Sequence, residues 1–146
     1  MREILSRGKL SHNNKWLIGD LVVNQEGTLY IIPSRIIEQD GHHLEIFDDY
    51  AYLVNNNTIG QYIGLKDKNG VRIFKDDIVK IYRNNTETGE IDVYIGSVVF
   101  IEKALLFAVN TKSETISFDL MFNNAGFYSY VIEVIGNIHD NKDLIE

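Results

Sequence analysis

The sequence contains no cysteine and a single proline among its 146 residues. Without cysteine, the chain forms no disulfide, has no thiolate nucleophile and cannot bind zinc or iron–sulfur clusters through sulfur. Long apolar runs are also missing, because stretches such as 98–101 and 104–109 are far too short to span a bilayer. Residues 1–9 contain no apolar segment of signal-peptide length. We therefore expect a cytoplasmic protein that has no membrane contact.

Helix signals are scarce as well. No window of helix length keeps apolar residues at i, i+3, i+4 and i+7, whereas short β-like runs bounded by Gly, Asn and Asp recur along the chain. This pattern predicts a mainly β protein with little helix. We expect one unit over residues 1–146, with an N-terminal β lobe at about 1–57. A small SH3-like barrel would occupy about 58–140, within the C-terminal two thirds, and a short tail would follow at 141–146.

Turn signals divide the strands. Residues 24–27 are typical of a hairpin turn, and Asn69-Gly70 favours a second one because this pair readily adopts positive φ. Pro33 is expected to end a strand or lie at a sheet edge, since it cannot donate a ladder hydrogen bond. Residues 34–46 favour two short strands around Asp40-Gly41. Residues 119–124 are compatible with one helical turn.

The net charge of −7 is unevenly distributed. Residues 1–16 and 66–83 each carry a net charge of +3, whereas residues 20–59 carry −6 and residues 84–146 carry −7. An acidic protein disfavours non-specific nucleic-acid binding, because attraction to phosphate supplies most of that affinity. The basic stretches still permit a local patch if they meet in space, although they are equally compatible with ordinary solvated strand faces.

Three blocks of the chain resemble the YopX family of phage- and prophage-encoded proteins. They are residues 1–9 followed by 16–21, residues 60–70 (Gly-Gln-Tyr-Ile-Gly-Leu-Lys-Asp-Lys-Asn-Gly) continuing to 73–74 and 77–80, and residues 133–141. Two departures occur: Ile63 stands where the family usually has Thr, and Lys75-Asp76 stands where it commonly has an acidic residue followed by Gly. The resemblance implies a β-rich fold containing an SH3-like barrel and a mobile-element origin. It implies no activity and no site residue.

Nucleotide and calcium sites do not fit the glycines and acids of the central block. A P-loop needs Gly-Lys-Ser/Thr at the start of a helix, whereas Gly70 precedes a strand-like run. An EF-hand loop places its glycine sixth, but Gly70 is fourth from Asp67. Hairpin turns that use an Asx hydrogen bond explain both residues. No cofactor is therefore expected.

Catalytic and metal-binding constellations are similarly weak. His42 and His43 are adjacent, so on a strand they would point to opposite faces. No Gly-x-Ser-x-Gly motif occurs. Asp76 and Asp77 are neighbours that would diverge on a strand, and Asp77 is expected to hydrogen-bond turn amides before Ile78. We therefore expect neither a metal site nor an enzyme.

The remaining signal is the interleaving of aromatic and basic residues in the central stretch. It predicts a binding face made of Tyr62, Lys66, Lys68, Arg72, Lys80 and Arg83, accompanied by Phe74 and Tyr82. The aromatic residues are equally explained as core. We expect a non-enzymatic module that binds a host or phage protein, and an exposed strand edge could also pair with a second copy of the chain. The alternatives are a nucleic-acid binder that uses residues 66–83 and, third, an enzyme acting on a small metabolite.

Overall fold

The computed structural model describes residues 3–39, 42–47, 51–123 and 126–146, with the backbone alone for 34–39 and 42–47. These residues form a mainly β protein with two antiparallel sheets and little helix, as predicted. The chain divides into two compact units, Met1–Tyr62 and Ile63–Glu146. None of the helices formed by these residues is long and apolar enough to cross a membrane.

The first unit is built from antiparallel strands. These are β1 (Ser6–Lys9), β2 (Trp16–Val23), β3 (Leu29–Gln39), β4 (His42–Phe47), β5 (Tyr52–Leu53) and the start of β6 (Gly60–Lys66). They lie in the order β4-β3-β2-β1-β6, and β5 also pairs with β3. A 3-10 turn at Asn56–Thr58 precedes β6. Ile31 and Val54 are almost fully buried here, and Gly8 leaves room for the Val54 side chain.

Pro33 corrects one prediction, because it neither ends a strand nor lies on an edge strand. It lies inside β3 and pairs with Gly19 of β2. On the other side of β3, pairing with β5 stops at Ile31 and pairing with β4 starts at Ser34. Among the described residues, the missing N–H therefore falls between two ladders and removes no ladder hydrogen bond. The paired strands predicted within residues 34–46 are confirmed, whereas the turn at 40–41 lies outside the described residues.

The second unit contains the end of β6 and seven further elements of regular structure. They are β7 (Arg72–Phe74), β8 (Asp77–Asn85), β9 (Ile91–Ile101), β10 (Leu106–Thr111), β11 (Thr115–Ser117), α1 (Phe118–Phe122) and β12 (Tyr128–Asn137). A 3-10 turn at Lys142–Ile145 follows. The strand order is β11-β10-β9-β8-β12. Strands β11 and β12 lie at opposite ends of this order, so the described residues form an open sheet and no closed SH3-like barrel.

One face of this five-stranded sheet carries the core. Alternation along each strand places Val79 and Ile81 of β8, Val98 of β9 and Ile132 of β12 on the same side. They are buried in one cluster that also contains Ile63, Ile73, Val109, Ile116, Phe118 and Met121. We call this side the inner face and the opposite side the outer face. The outer face is where Lys80 and Tyr82 of β8 come to the surface.

Candidate functional site

The turn between β6 and β7 is held by one carboxylate. Oδ1 of Asp67 accepts hydrogen bonds from the N–H groups of Asn69 (2.8 Å) and Val71 (2.9 Å), and Oδ2 accepts one from Val134 N–H of β12 (2.9 Å). Burial alone raises the pKa of Asp67. These amides and the nearby Lys68 charge outweigh it, so the pKa lies below its ordinary value. Gly70 has a φ of 79°, as a hairpin turn at Asn69-Gly70 requires.

A second anchor lies at the start of β8. Asp77 is almost fully buried, and its Oδ2 accepts a hydrogen bond from Phe74 N–H (2.7 Å). This confirms the predicted role of Asp77 in the turn. The neighbouring carboxylate of Asp76 points elsewhere, with Oδ1 at 3.1 Å from Lys75 Nζ and Oδ2 at 3.6 Å from His139 Nε2. The two acids therefore do not converge as a catalytic pair.

Two of the blocks that resemble the YopX family, residues 60–80 and residues 133–141, meet through these anchors. The Asp67–Val134 bond and the bond from Ile138 N–H to the Asp76 carbonyl join residues 60–80 to residues 133–141. Asp76 has a φ of 73°, a conformation that favours glycine, and the family commonly has glycine at this position. Here aspartate occupies it and adds the contacts to Lys75 and His139. Turn and sheet contacts thus largely explain the residues of these two blocks.

A basic and apolar surface covers the outer face. Tyr82 of β8 lies between Val93 of β9 and Val131 of β12 in the strand register. Val93 is 50% exposed and Val131 is 45% exposed, and Ile91 and Ile95 extend the apolar strip along β9. The ammonium groups of Lys68 and Lys80 lie 5.7 Å and 5.3 Å from the centre of the Tyr82 ring, at the distance of cation–π contacts.

An open cleft of about 370 Å³ adjoins this surface, between the β6–β7 turn, α1 and β12. Its walls are Lys66, Asp67, Lys68, Met121, Phe122, Tyr130, Val131 and Ile132. Lys66 and Phe122 are exposed, whereas Met121 and Ile132 are buried. Asp67 contributes no free carboxylate, because both of its oxygens accept backbone hydrogen bonds. The cleft therefore combines an apolar floor with positive charge at its rim.

Three of the six sequence-predicted residues lie on these two surfaces. Lys66 and Lys68 line the cleft, and Lys68 and Lys80 contact Tyr82. Tyr62 is only 5% exposed and Phe74 only 3%, in agreement with their interpretation as core residues. Arg72 is partly buried in β7 and does not line the cleft.

Arg83 lies on the inner side of β8, opposite Lys80. Its guanidinium is 3.1 Å from Asp92 and 3.1 Å from Glu114, and it lies over the rings of Tyr94 and Tyr128 at 4.9 Å each. Burial alone lowers the pKa of Arg83, but the hydrogen bond to Asp92 and the surrounding charges raise it overall. The charge of Arg83 is therefore already paired by acidic residues of its own unit.

Sequence reasoning missed Val93, Ile95 and Val131 as surface residues. Their alternation identifies one strand face, but it does not say whether that face is covered. No group of three His, Asp or Glu side chains able to hold a metal ion occurs in the parts of the chain that the structure describes. The side chains of His42 and His43 lie outside those parts.

Comparison with known proteins identifies the family. The crystal structure of protein EF1440 from Enterococcus faecalis is similar over 100% of both chains, with a TM-score of 0.57 and 21% sequence identity, which shows a shared fold. Among curated proteins, none matches this chain. The family model described as YopX protein matches residues 7–146. Because this match covers nearly the whole chain, the protein belongs to the YopX family.

Proposed function

We propose that this protein is a non-enzymatic module that binds a host or phage protein in the bacterial cytoplasm. The observation that carries the proposal is the outer face of the second unit, where Val93, Ile95 and Val131 are exposed around Tyr82. Exposed apolar side chains in one contiguous patch with a charged rim are characteristic of protein interaction sites. The residues are held by a paired sheet, so the patch is preorganised and loses little entropy on binding.

Charge complementarity defines the partner's surface. Lys80 lies beside the apolar strip with its ammonium over the Tyr82 ring, and Lys68 lies over the same ring while pairing with Glu133 at 3.3 Å. A complementary surface is therefore apolar at its centre and acidic at its margin. A mobile-element origin, which the family resemblance implies, is consistent with a host protein as the partner.

The test is capture from bacterial host lysate by the purified chain at micromolar concentration. Replacing both Val93 and Val131 by Gln should reduce recovery of a specific partner about tenfold, as loss of central apolar contacts does in other interfaces. The matched control is Leu105→Gln, because Leu105 is 80% exposed but lies in the β9–β10 turn. Failure to retain any specific protein, or equal loss in the control, would contradict the proposal.

A nucleic-acid binder is the second candidate, and the two lysines stacked on Tyr82 favour it. Single-stranded nucleic acids bind to aromatic platforms with nearby cations. Acidic residues weigh against it, because Glu133 pairs with Lys68 and Arg83 is bound by Asp92 and Glu114. A mobility shift that weakens steeply with salt would support this candidate, and no shift at low salt would exclude it.

A further inference from the structure

At the cleft, the edge of β12 that faces away from β8 includes backbone groups with no hydrogen-bond partner among the described residues. Ile132 C=O accepts a hydrogen bond from Lys68 N–H, and Val134 N–H donates to Asp67, so residues 132 and 134 direct their backbone groups away from β8. Backbone direction alternates along an antiparallel strand. Tyr130 and Tyr128 therefore also direct their N–H and C=O groups away from β8. Across the described residues, no backbone group outside β8 pairs with Tyr130.

The cleft lies against this part of the strand. Tyr130, Val131 and Ile132 form one wall, and Met121 and Phe122 of α1 supply apolar surface. The β6–β7 turn closes the far end, where Lys68 N–H already occupies Ile132 C=O. Residues 128–132 span about 13 Å along this edge of β12, at about 3.3 Å per residue. This length suits an added strand of about five residues.

The charge at the rim selects among possible strands. Lys66 is exposed at the cleft, and no ion-pair partner for it occurs among the described residues. The carboxylate of Asp67 accepts from three backbone amides and is almost buried, so its oxygens face the turn and β12 rather than an incoming strand. Positive charge beside an apolar floor complements a strand with apolar residues on one side and acidic residues on the other.

We propose that the cleft binds an extended acidic peptide segment of a partner protein, which adds as a further strand to the outer edge of β12. This inference rests on the proposed protein-binding function and names the kind of segment bound. Main-chain hydrogen bonds to Tyr130 supply affinity that does not depend on sequence. Met121, Phe122 and Lys66 supply the selectivity.

The probe is a fluorescein-labelled six-residue peptide of alternating Val and Glu, titrated into the full chain and followed by fluorescence anisotropy. Lys66→Glu should weaken its binding at least fivefold, since it turns an attractive contact into a repulsive one. The control Lys103→Glu makes the same charge change at an exposed residue of the β9–β10 turn and should leave the affinity unchanged. Far-UV circular dichroism of both variants checks that the fold is kept.

Two further peptides test the mode of binding. A version with alternate backbone amides N-methylated should bind at least tenfold more weakly, because it cannot pair with the Tyr130 C=O. A version with Lys in place of Glu should also bind at least tenfold more weakly. In an NMR titration with the Val-Glu peptide, the amide of Tyr130 should shift more than those of Val93 and Ile95.

Several results would overturn the inference. They are equal binding of the N-methylated or Lys peptide, equal affinity in Lys66→Glu and Lys103→Glu, or amide shifts confined to the outer face. A dimer that Lys66→Glu dissociates in analytical ultracentrifugation would assign the edge to a second copy instead. Capture of a partner that depends on Val93 and Val131, without binding of the acidic peptide, would refute this inference while the proposed function still stands.

Discussion

Two hairpin turns of this protein, one in each unit, have the same hydrogen-bond pattern. In the β2–β3 turn, Oδ1 of Asn24 accepts from the N–H groups of Glu26 and Thr28. In the β6–β7 turn, Oδ1 of Asp67 accepts from the residues at the same spacing, 69 and 71. Each turn has a glycine at the fourth position, Gly27 with φ 81° and Gly70 with φ 79°. Within each hairpin, the Asx side chain and the glycine therefore have the same structural role.

The difference lies in what each side chain does beyond its own turn. Asn24 is exposed, and its Oδ1 bonds stay within the hairpin. Asp67 is 8% exposed, and its second oxygen reaches Val134, 67 residues further along the chain. The Asx turn therefore stabilises only its own hairpin in one case, whereas in the other the same side chain also binds Val134 of β12. The contribution of such a side chain to the free energy of unfolding therefore depends on its burial and its distant contacts rather than on the turn motif.

The largest effect is expected from Asp67→Ala. It leaves the amides of Asn69, Val71 and Val134 without an acceptor, at a cost of about 3 kcal/mol in the free energy of unfolding. Asn24→Ala removes two exposed bonds whose amides turn to water, so it should cost about 1 kcal/mol. Urea denaturation of both variants measures the difference. Equal losses would show that the long-range bond to Val134 adds nothing.

The second test uses pH. The pKa of Asp67 is lowered in the folded protein, so its ionised form contributes stability above the unfolded pKa of about 3.9. That contribution is lost as pH falls through the folded value. Asp67→Asn, whose Nδ2 faces the Val134 N–H, should cost about 2 kcal/mol at pH 7. The gap between wild type and this variant should narrow below about pH 4, and a gap that is constant from pH 7 to pH 3 would contradict the assigned role of the charge.

Gly27→Ala and Gly70→Ala give the next smaller effect. At both positions a Cβ would meet nothing within 4 Å, so the cost is that of positive φ alone, about 1 kcal/mol each. Thermal denaturation should show equal shifts in the free energy of unfolding for the two variants. A markedly larger loss at Gly70 would mean that the β6–β7 turn cannot relax, because β12 holds it.

The sequence predicts the local half of this comparison well. The polar run 24–27 locates the first turn, and Asn69-Gly70 locates the second. The β-like runs indicate the mainly β class. All of these features depend on residues that are neighbours in the sequence. It does not predict that β3 continues through Pro33, since that depends on where two partner ladders end. The bond from Asp67 to Val134 is equally invisible, because it joins residues far apart in the chain.

The same limit applies to the candidate binding residues. Lys66, Lys68 and Lys80 are found from composition because they are close in sequence and reach the surface. Arg83 is separated from them by strand alternation and by its pairing with Asp92 and Glu114. The apolar strip around Tyr82 depends on how far its part of the sheet face is covered, since Ile78 on the same side of β8 is buried while Val93 and Val131 are exposed. Periodicity is the same for a covered and an uncovered strand.

The smallest effect is expected from a variant that adds a carboxylate to the first turn without the burial and the distant bond found in the second. Asn24→Asp gives the first turn the same anchor as the second but leaves it exposed. Its Oδ1 can still accept from Glu26 and Thr28, while the added charge is largely screened by solvent. The free energy of unfolding should change by less than about 0.5 kcal/mol at pH 7. Urea denaturation decides the point: a gain above 1 kcal/mol would show that a carboxylate strengthens an Asx turn by itself, and the weight of Asp67 would then come from its charge rather than from its bond to β12.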